Sequence, residues 1–424
     1  MTDEPINPEA WQPVTRLRFP ALVMGVVALA LCLLGLIPEG GPSRFFNAYL
    51  FSFLFWLGIA LGSLALVFLH HLVGGNWGVA VRRPAEAAAM TMPLLLMLFV
   101  PILFGVKYLY PWADPSAIPF ADKHLLEILQ HQSALLNIPT AGAITVFMFI
   151  AWTILAFWVI RWGLEYDRTE DRRLARSMRK LCSFGLCFHV LTVSLLGILW
   201  VMSREAGWYS SILGFMILIG QALSAMVFLI IVVRLLARVE PMASFVTPQI
   251  LNDLGNLFLT LVILWAYMSF AQLLIVWMGN TAVDTPWYVR RGLGQQGNSW
   301  KYIGLFLVVT HFFMPFFLLL LRWTKRQFER LRNLAIFVLV LRVVDVYWLT
   351  APNSLQPMDF GFYVGWMDFL MPIGIGGIWF AAFAWLLEGQ TMLPHLEPPD
   401  EDYEPEMNQM PTNHGRAHGE ASAS

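Results

Sequence analysis

Apolar residues fall along the chain in runs of about 20, separated by short polar or Pro- and Gly-rich breaks. A helix of that length crosses a hydrocarbon core of about 30 Å. Ten such segments are predicted, over 19–38, 45–73, 87–109, 139–160, 183–201, 208–236, 252–278, 303–321, 333–350 and 366–387. Helices satisfy their own backbone in lipid, so the pattern reads as an all-α, polytopic integral membrane protein and excludes an outer-membrane barrel. The run Phe19–Ile37 follows Arg16 and Arg18 but lacks a small-residue cleavage site, and is expected to remain as the first helix.

Two short matches recur at nearly one offset: Ala65–Leu69 with Ala225–Leu229, and Arg161-Trp162 with Arg322-Trp323. Four segments lie between corresponding points. The expected architecture is two four-helix bundles, over approximately 45–201 and 208–350, flanked by the first and tenth segments. Gly58 and Gly62 form a G-x-x-x-G pair, and Gly374, Gly376 and Gly377 thin the last segment, which predicts close helix approach at both places.

Composition agrees: 424 residues are 58% hydrophobic and only 13% charged, with mean hydropathy +0.62. The net charge of -1 says little, but its distribution says more. With the N-terminus inside, nineteen Lys and Arg lie in cytoplasmic segments and seven outside, Arg342 alone remaining within a segment. That bias predicts both termini in the cytoplasm. Residues 1–18 are then a cytoplasmic N-terminus, 19–390 the membrane domain, and 391–424, rich in Pro, Glu and Asp, a disordered cytoplasmic tail. The outside loops 110–138, 279–301 and 351–365 carry Pro, Trp and Tyr, as interfacial anchors or a partner-docking face would. Nucleic-acid binding has no support.

The three cysteines are too few for an iron–sulfur cluster, which needs about four thiolates. No C-x-x-C-H or P-loop is present, so neither covalent haem nor ATP-driven transport is expected. His70, His71, His189 and His311 are the candidates for b-type haem, but at different depths.

Charges at membrane depth are costly, and those present are paired, water-lined or functional. Arg342 and Asp345 stand three apart on one helix face, as a structural ion pair or as a proton-exchanging Asp345 governed by Arg342. His311 precedes Pro315 by four residues and Asp368 precedes Pro372 by four. Proline lacks an N–H, so each arrangement frees a backbone carbonyl beside a titratable side chain. Asn252 and Asp253 suit a helix N-terminus, and His70, Arg82, Arg83 and Glu86 bracket the Gly74–Gly78 turn. Either these groups cap the membrane interface, or His70, Glu86 and Asp253 take in protons from the cytoplasm and pass them towards His189, Gln221, His311 and Asp345.

Three stretches, His70–Glu86 (HHLVGGNWGVAVRRPAE), Lys301–Gly304 leading into His311–Phe316 (HFFMPF), and Arg342–Pro352 (RVVDVYWLTAP), resemble ActF, the F-type membrane subunit of bacterial alternative complex III. The resemblance spans roughly residues 45–352, and the turn from Gly74 to Glu86 points to the F rather than the related C type. It implies a ten-helix protein of the NrfD and polysulfide-reductase membrane-subunit type, in the bacterial cytoplasmic membrane, within a quinol:electron-acceptor oxidoreductase of an electron-transport chain. The implied partners are other membrane subunits and periplasmic subunits carrying iron–sulfur clusters and haem c. The implied substrate is quinol, menaquinol in particular, with no metal or cofactor bound by this chain. In that family the C subunit carries the better-supported quinol site, while the F subunit is labelled quinone-binding and has been given a proton path. The candidate site residues are then His70, Glu86, His189, Asp253, His311, Arg342, Asp345 and Asp368. From the residues alone, a secondary transporter with two bundle repeats, a dihaem b-type subunit and a scaffold also remain open.

Overall fold

The computed structural model describes residues 11–38, 40–118, 123–294, 298–357, 361–388 and 391–394. The protein is all-helical, with no strand among the described residues, and ten of its helices are long and apolar enough to cross a membrane. It is a multi-pass membrane protein. The main helices are α1 (Arg18–Leu33), α2 (Gly41–Val73), α3 (Asn76–Ala89), α4 (Met92–Leu109), α5 (Ile138–Thr169), α6 (Arg172–Trp200), α7 (Leu213–Leu236) and α8 (Pro248–Gly279). Then come α9 (Trp300–Leu307), a π-helical turn (Val308–Phe313), α10 (Met314–Leu320), α11 (Phe328–Thr350) and α12 (Trp366–Leu387).

Helix neighbours form two closed rings. In the first, α2 packs on α4, α4 on α5, α5 on α6 and α6 back on α2; in the second, α7 packs on α8, α8 on the π turn and α10, that broken helix on α11, and α11 back on α7. These are the two expected four-helix bundles. They meet where α2 crosses α7, the two helices that carry the matching pentapeptides. A Cβ on Gly62 would overlap the Gln221 carbonyl of α7, so the backbones touch there. The flanking pair α1 and α12 is joined in the same way, a Cβ on Gly25 coming within 2.9 Å of the Gly374 carbonyl oxygen and of Gly377.

The structure departs from the sequence reading at α3. Residues 87–89 close a separate helix of 14 residues instead of opening the third span, which begins at Met92 after the Met90-Thr91 turn. From Gly78 to Ala89 every residue of α3 is buried, because both bundles and α12 close over it. Its charges are paired internally: Arg82 Nε and Arg83 Nη1 donate to Glu86 at 2.9 and 2.6 Å, and Arg83 also bridges to Asp167 of α5. Gly163 of α5 leaves the space that the Arg82 guanidinium occupies. Thr391 also meets Arg83, at 3.5 Å, so this part of the expected tail packs against the body; 395–424, the rest of it, lies outside the described residues.

At the opposite end, cations cap helix C-termini, where free carbonyls concentrate negative potential. Arg204 donates to Thr350 O at 2.8 Å and Leu109 O at 3.3 Å, tying the end of α11 to that of α4. Arg291 donates to Leu349 O at 2.7 Å and Trp348 O at 3.2 Å. Burial pushes the Arg291 guanidinium down to about 9, which leaves it charged at neutral pH.

Gly62→Ala is expected to destabilise the protein by about 1–3 kcal/mol, since backbone on α7 must move. Gly58→Ala, whose Cβ would come no nearer than 3.3 Å to Gln221 Cγ and meet no backbone atom closer than 3.9 Å, is expected to cost less than half of that. Thermal unfolding of the two variants in detergent measures the contrast.

Candidate functional site

The two bundles differ inside. Phe53, Phe99, Phe149, Trp152 and Trp200 interlock in the first, where a void of about 10 Å³ lies beside Phe53, Phe99, Phe149 and Trp200. The second encloses a cavity of about 710 Å³, mostly apolar, bounded by α7, α8, α9, α11 and the part of α2 around Gly58. Tyr267 and Phe270 of α8 and Leu305 of α9 line it and are also more than 60% exposed on the outer surface of the bundle. Helix α8 packs closely on the π turn and α10 but less on α9, so the cavity opens sideways between α8 and α9, where a membrane helix faces lipid.

Polar groups converge on one wall. Arg342 and Asp345 form the ion pair expected from their spacing, both buried. Arg342 Nε donates to Ser224 Oγ at 3.0 Å, and Trp265 Nε1 donates to Asp345 Oδ2 at 3.1 Å. Gly220 has no side chain where the Arg342 guanidinium lies against α7. Three helices thus hold the pair, with Arg342 gripped from α7 and Asp345 from α8. His311 sits behind Trp265 with ring centroids 4.2 Å apart; it is fully buried, and neither ring nitrogen has a hydrogen-bond partner among the described residues.

The freed carbonyl expected near Pro315 takes a particular form. The helix widens into a π turn at Val308–Phe313, and the Met314 N–H reaches Val309 O, five residues back. Such turns concentrate at functional positions.

The remaining candidates are elsewhere. His189 lies in the first bundle between Phe68 and Trp152, its ring nitrogens also without partners among the described residues. The His70 ring rests on Trp77 and Gly78 of α3, its Nε2 3.2 Å from Gly75 O. Glu86 is locked between Arg82 and Arg83. Burial pushes its carboxyl up, and the Arg83 and Arg82 guanidiniums outweigh that effect, leaving it below the usual carboxylate range. Asp253 is not the cap of its helix: α8 starts at Pro248 with Thr247 as N-cap, and Asp253 accepts a bond from Gln249 one turn earlier. Asp368 caps the first turn of α12, its Oδ2 accepting from the Gly365 N–H at 2.8 Å. So Arg342, Asp345 and His311 share one site, while His70 and Glu86 belong to the surroundings of α3. Trp265 and Ser224 were missed, because nothing in their own segments marks the faces that meet Asp345 and Arg342.

Compared with protein-family models and with curated proteins, the chain matches none.

Two outcomes test the electrostatics. Arg342→Met or Asp345→Leu alone leaves a buried charge without its partner and is expected to cost about 3–5 kcal/mol, whereas the double variant costs less than either single one; unfolding of all three in detergent closes the cycle. Because Glu86 titrates below its ordinary value of 4.5, its contribution is fully present above that pH and is lost as pH falls through the lowered value. The melting-temperature gap between wild type and Glu86→Gln is therefore expected to be widest near neutral pH and to shrink in acid.

Proposed function

We propose that this protein is the integral membrane subunit of a quinol:electron-acceptor oxidoreductase of the alternative complex III type, and that its second bundle receives the quinol ring. The observation that carries the reading is the laterally open apolar cavity with a paired carboxylate and a tryptophan on one wall, and a histidine directly behind that tryptophan. A quinol is a lipid-borne ring with two hydroxyls, so it needs an opening to the bilayer, apolar walls and a few convergent polar groups. The resemblance of His70–Glu86, Lys301–Phe316 and Arg342–Pro352 to ActF supports the same assignment.

Oxidation of a quinol to a quinone releases two protons and two electrons. In this reading Asp345, which lines the chamber with Arg342 holding its carboxylate, takes the protons from the ring hydroxyls in turn, and His311 behind Trp265 is the base that receives them next. The electrons pass to periplasmic partner subunits that carry iron–sulfur clusters and haem c; this chain contributes no redox centre. The protein lies in the bacterial cytoplasmic membrane with both termini inside, as the excess of basic residues on the terminal side supports.

Mild solubilisation should bring out haem c and iron–sulfur partners with the chain. In that complex Asp345→Asn and His311→Phe are each expected to lower menaquinol oxidation at least about tenfold. A chain that leaves its native membrane without such partners, or turnover and proton release unchanged in both variants, overturns the proposal.

A further inference from the structure

The α7 face that grips Arg342 carries one more polar side chain, and its buried oxygen is left without a hydrogen-bond partner among the described residues. Gln221 stands three residues before Ser224, lines the cavity, and is 5% exposed. Its main chain is pressed against Gly62 and its Cγ lies against the Gly58 position, so the aliphatic stem is clamped by α2. Its Oε1 is buried without a hydrogen-bond partner among the described residues. Native folds rarely leave such an acceptor unmatched, and a group of this kind bordering a cavity marks a contact that a ligand completes.

A carboxamide differs from the other polar groups on this wall. Asp345 and Ser224 are already engaged by Arg342 and Trp265. A primary amide presents an acceptor and two donors in one plane. Its oxygen can accept from the hydroxyl of a quinol, and its nitrogen can donate to the carbonyl of a quinone, with a turn about the terminal bond between the two.

We infer that Gln221 is the hydrogen-bond anchor for one ring oxygen of a lipid-soluble quinone in this cavity, and that it holds the oxidised and the reduced ring about equally well. The inference rests on the quinone reading of the cavity. Gln221 exchanges no proton with the ring; it is a positioning residue, and its distinguishing property is indifference to redox state.

The test is equilibrium binding of 2-methyl-1,4-naphthoquinone and of its reduced quinol to the full chain in nanodiscs, with the infrared carbonyl stretch of the bound quinone as a second readout. Gln221→Met keeps the stem and removes the amide; it is expected to weaken both redox forms about tenfold, the effect of one lost hydrogen bond, and to move the carbonyl stretch back towards its value in an apolar solvent. Gln221→Glu keeps acceptors and loses both amide donors, so it is expected to weaken the quinone more than the quinol. If the wild-type chain binds neither form, the quinone reading falls and this inference with it. If the wild type binds but the Met variant keeps its affinity and carbonyl stretch, or the Glu variant affects both forms alike, the role of Gln221 is overturned while the cavity's reading stands. Where the Met variant does not fold, the Glu variant and the wild-type infrared spectrum decide.

Discussion

Helices α2 and α7 touch backbone to backbone where Gly62 meets the carbonyl of Gln221, and the remaining architecture is arranged around that crossing. Lipid offers no hydrophobic drive between helices, so a tight small-residue contact is the kind of interaction available to fix two bundles against each other. The crossing sets where α7 stands, and α7 in turn presents Gly220 and Ser224 to Arg342. It also brings the surface around Gly58 to the cavity as a wall. Helix α3 then closes the terminal end under both bundles, and the cations at the loop end close the other.

The twin rings are built alike and filled differently. Aromatic side chains occupy the first bundle, and its His189 is packed between Phe68 and Trp152. The second keeps its volume open because its fourth wall is a broken helix that leans away from α8 along α9. Aromatic side chains thus fill the interior of one bundle, while the other leaves a chamber between its helices.

The ten spans were legible because membrane length sets a simple requirement that apolar runs meet. The ring order followed from repeats that were short but consistently spaced. Helix α3 was not legible: Arg82, Arg83, Pro84 and Glu86 read as a polar turn, and only the two bundles closing over them make the segment a buried helix. The long helices α5 and α6 also run past their apolar stretches, to Thr169 and from Arg172, where charge is solvated outside lipid. In the site, the Arg342–Asp345 pair was readable from spacing within one helix. Trp265 and Ser224 were not, because they depend on which faces of three helices meet. Asp253 and Asp368 stand apart from this site, in the opening turns of α8 and α12, where their hydrogen bonds are local to their own helices.

The π turn gives a physical reason for the place of His311. Leu307, His311, Pro315 and Leu319 are all buried, and they recur every four residues. In an α-helix of 3.6 residues per turn a stripe with that period drifts around the axis by about 40° at each step, so the four could not face one interior. Widening the helix at Val308–Phe313 takes up that drift in the middle of the stripe. Pro315 favours the widening, because it has no N–H to close the tighter turn. Residues of α9 and of the turn, Val308, Phe312 and Phe313, line the chamber while α10 packs against α8, and His311 falls at the join, its ring against Trp265 and its nitrogens without protein partners among the described residues. A histidine placed there by backbone geometry, one ring away from the carboxylate that Trp265 holds, is in position to share protons with the chamber without itself forming part of the chamber wall.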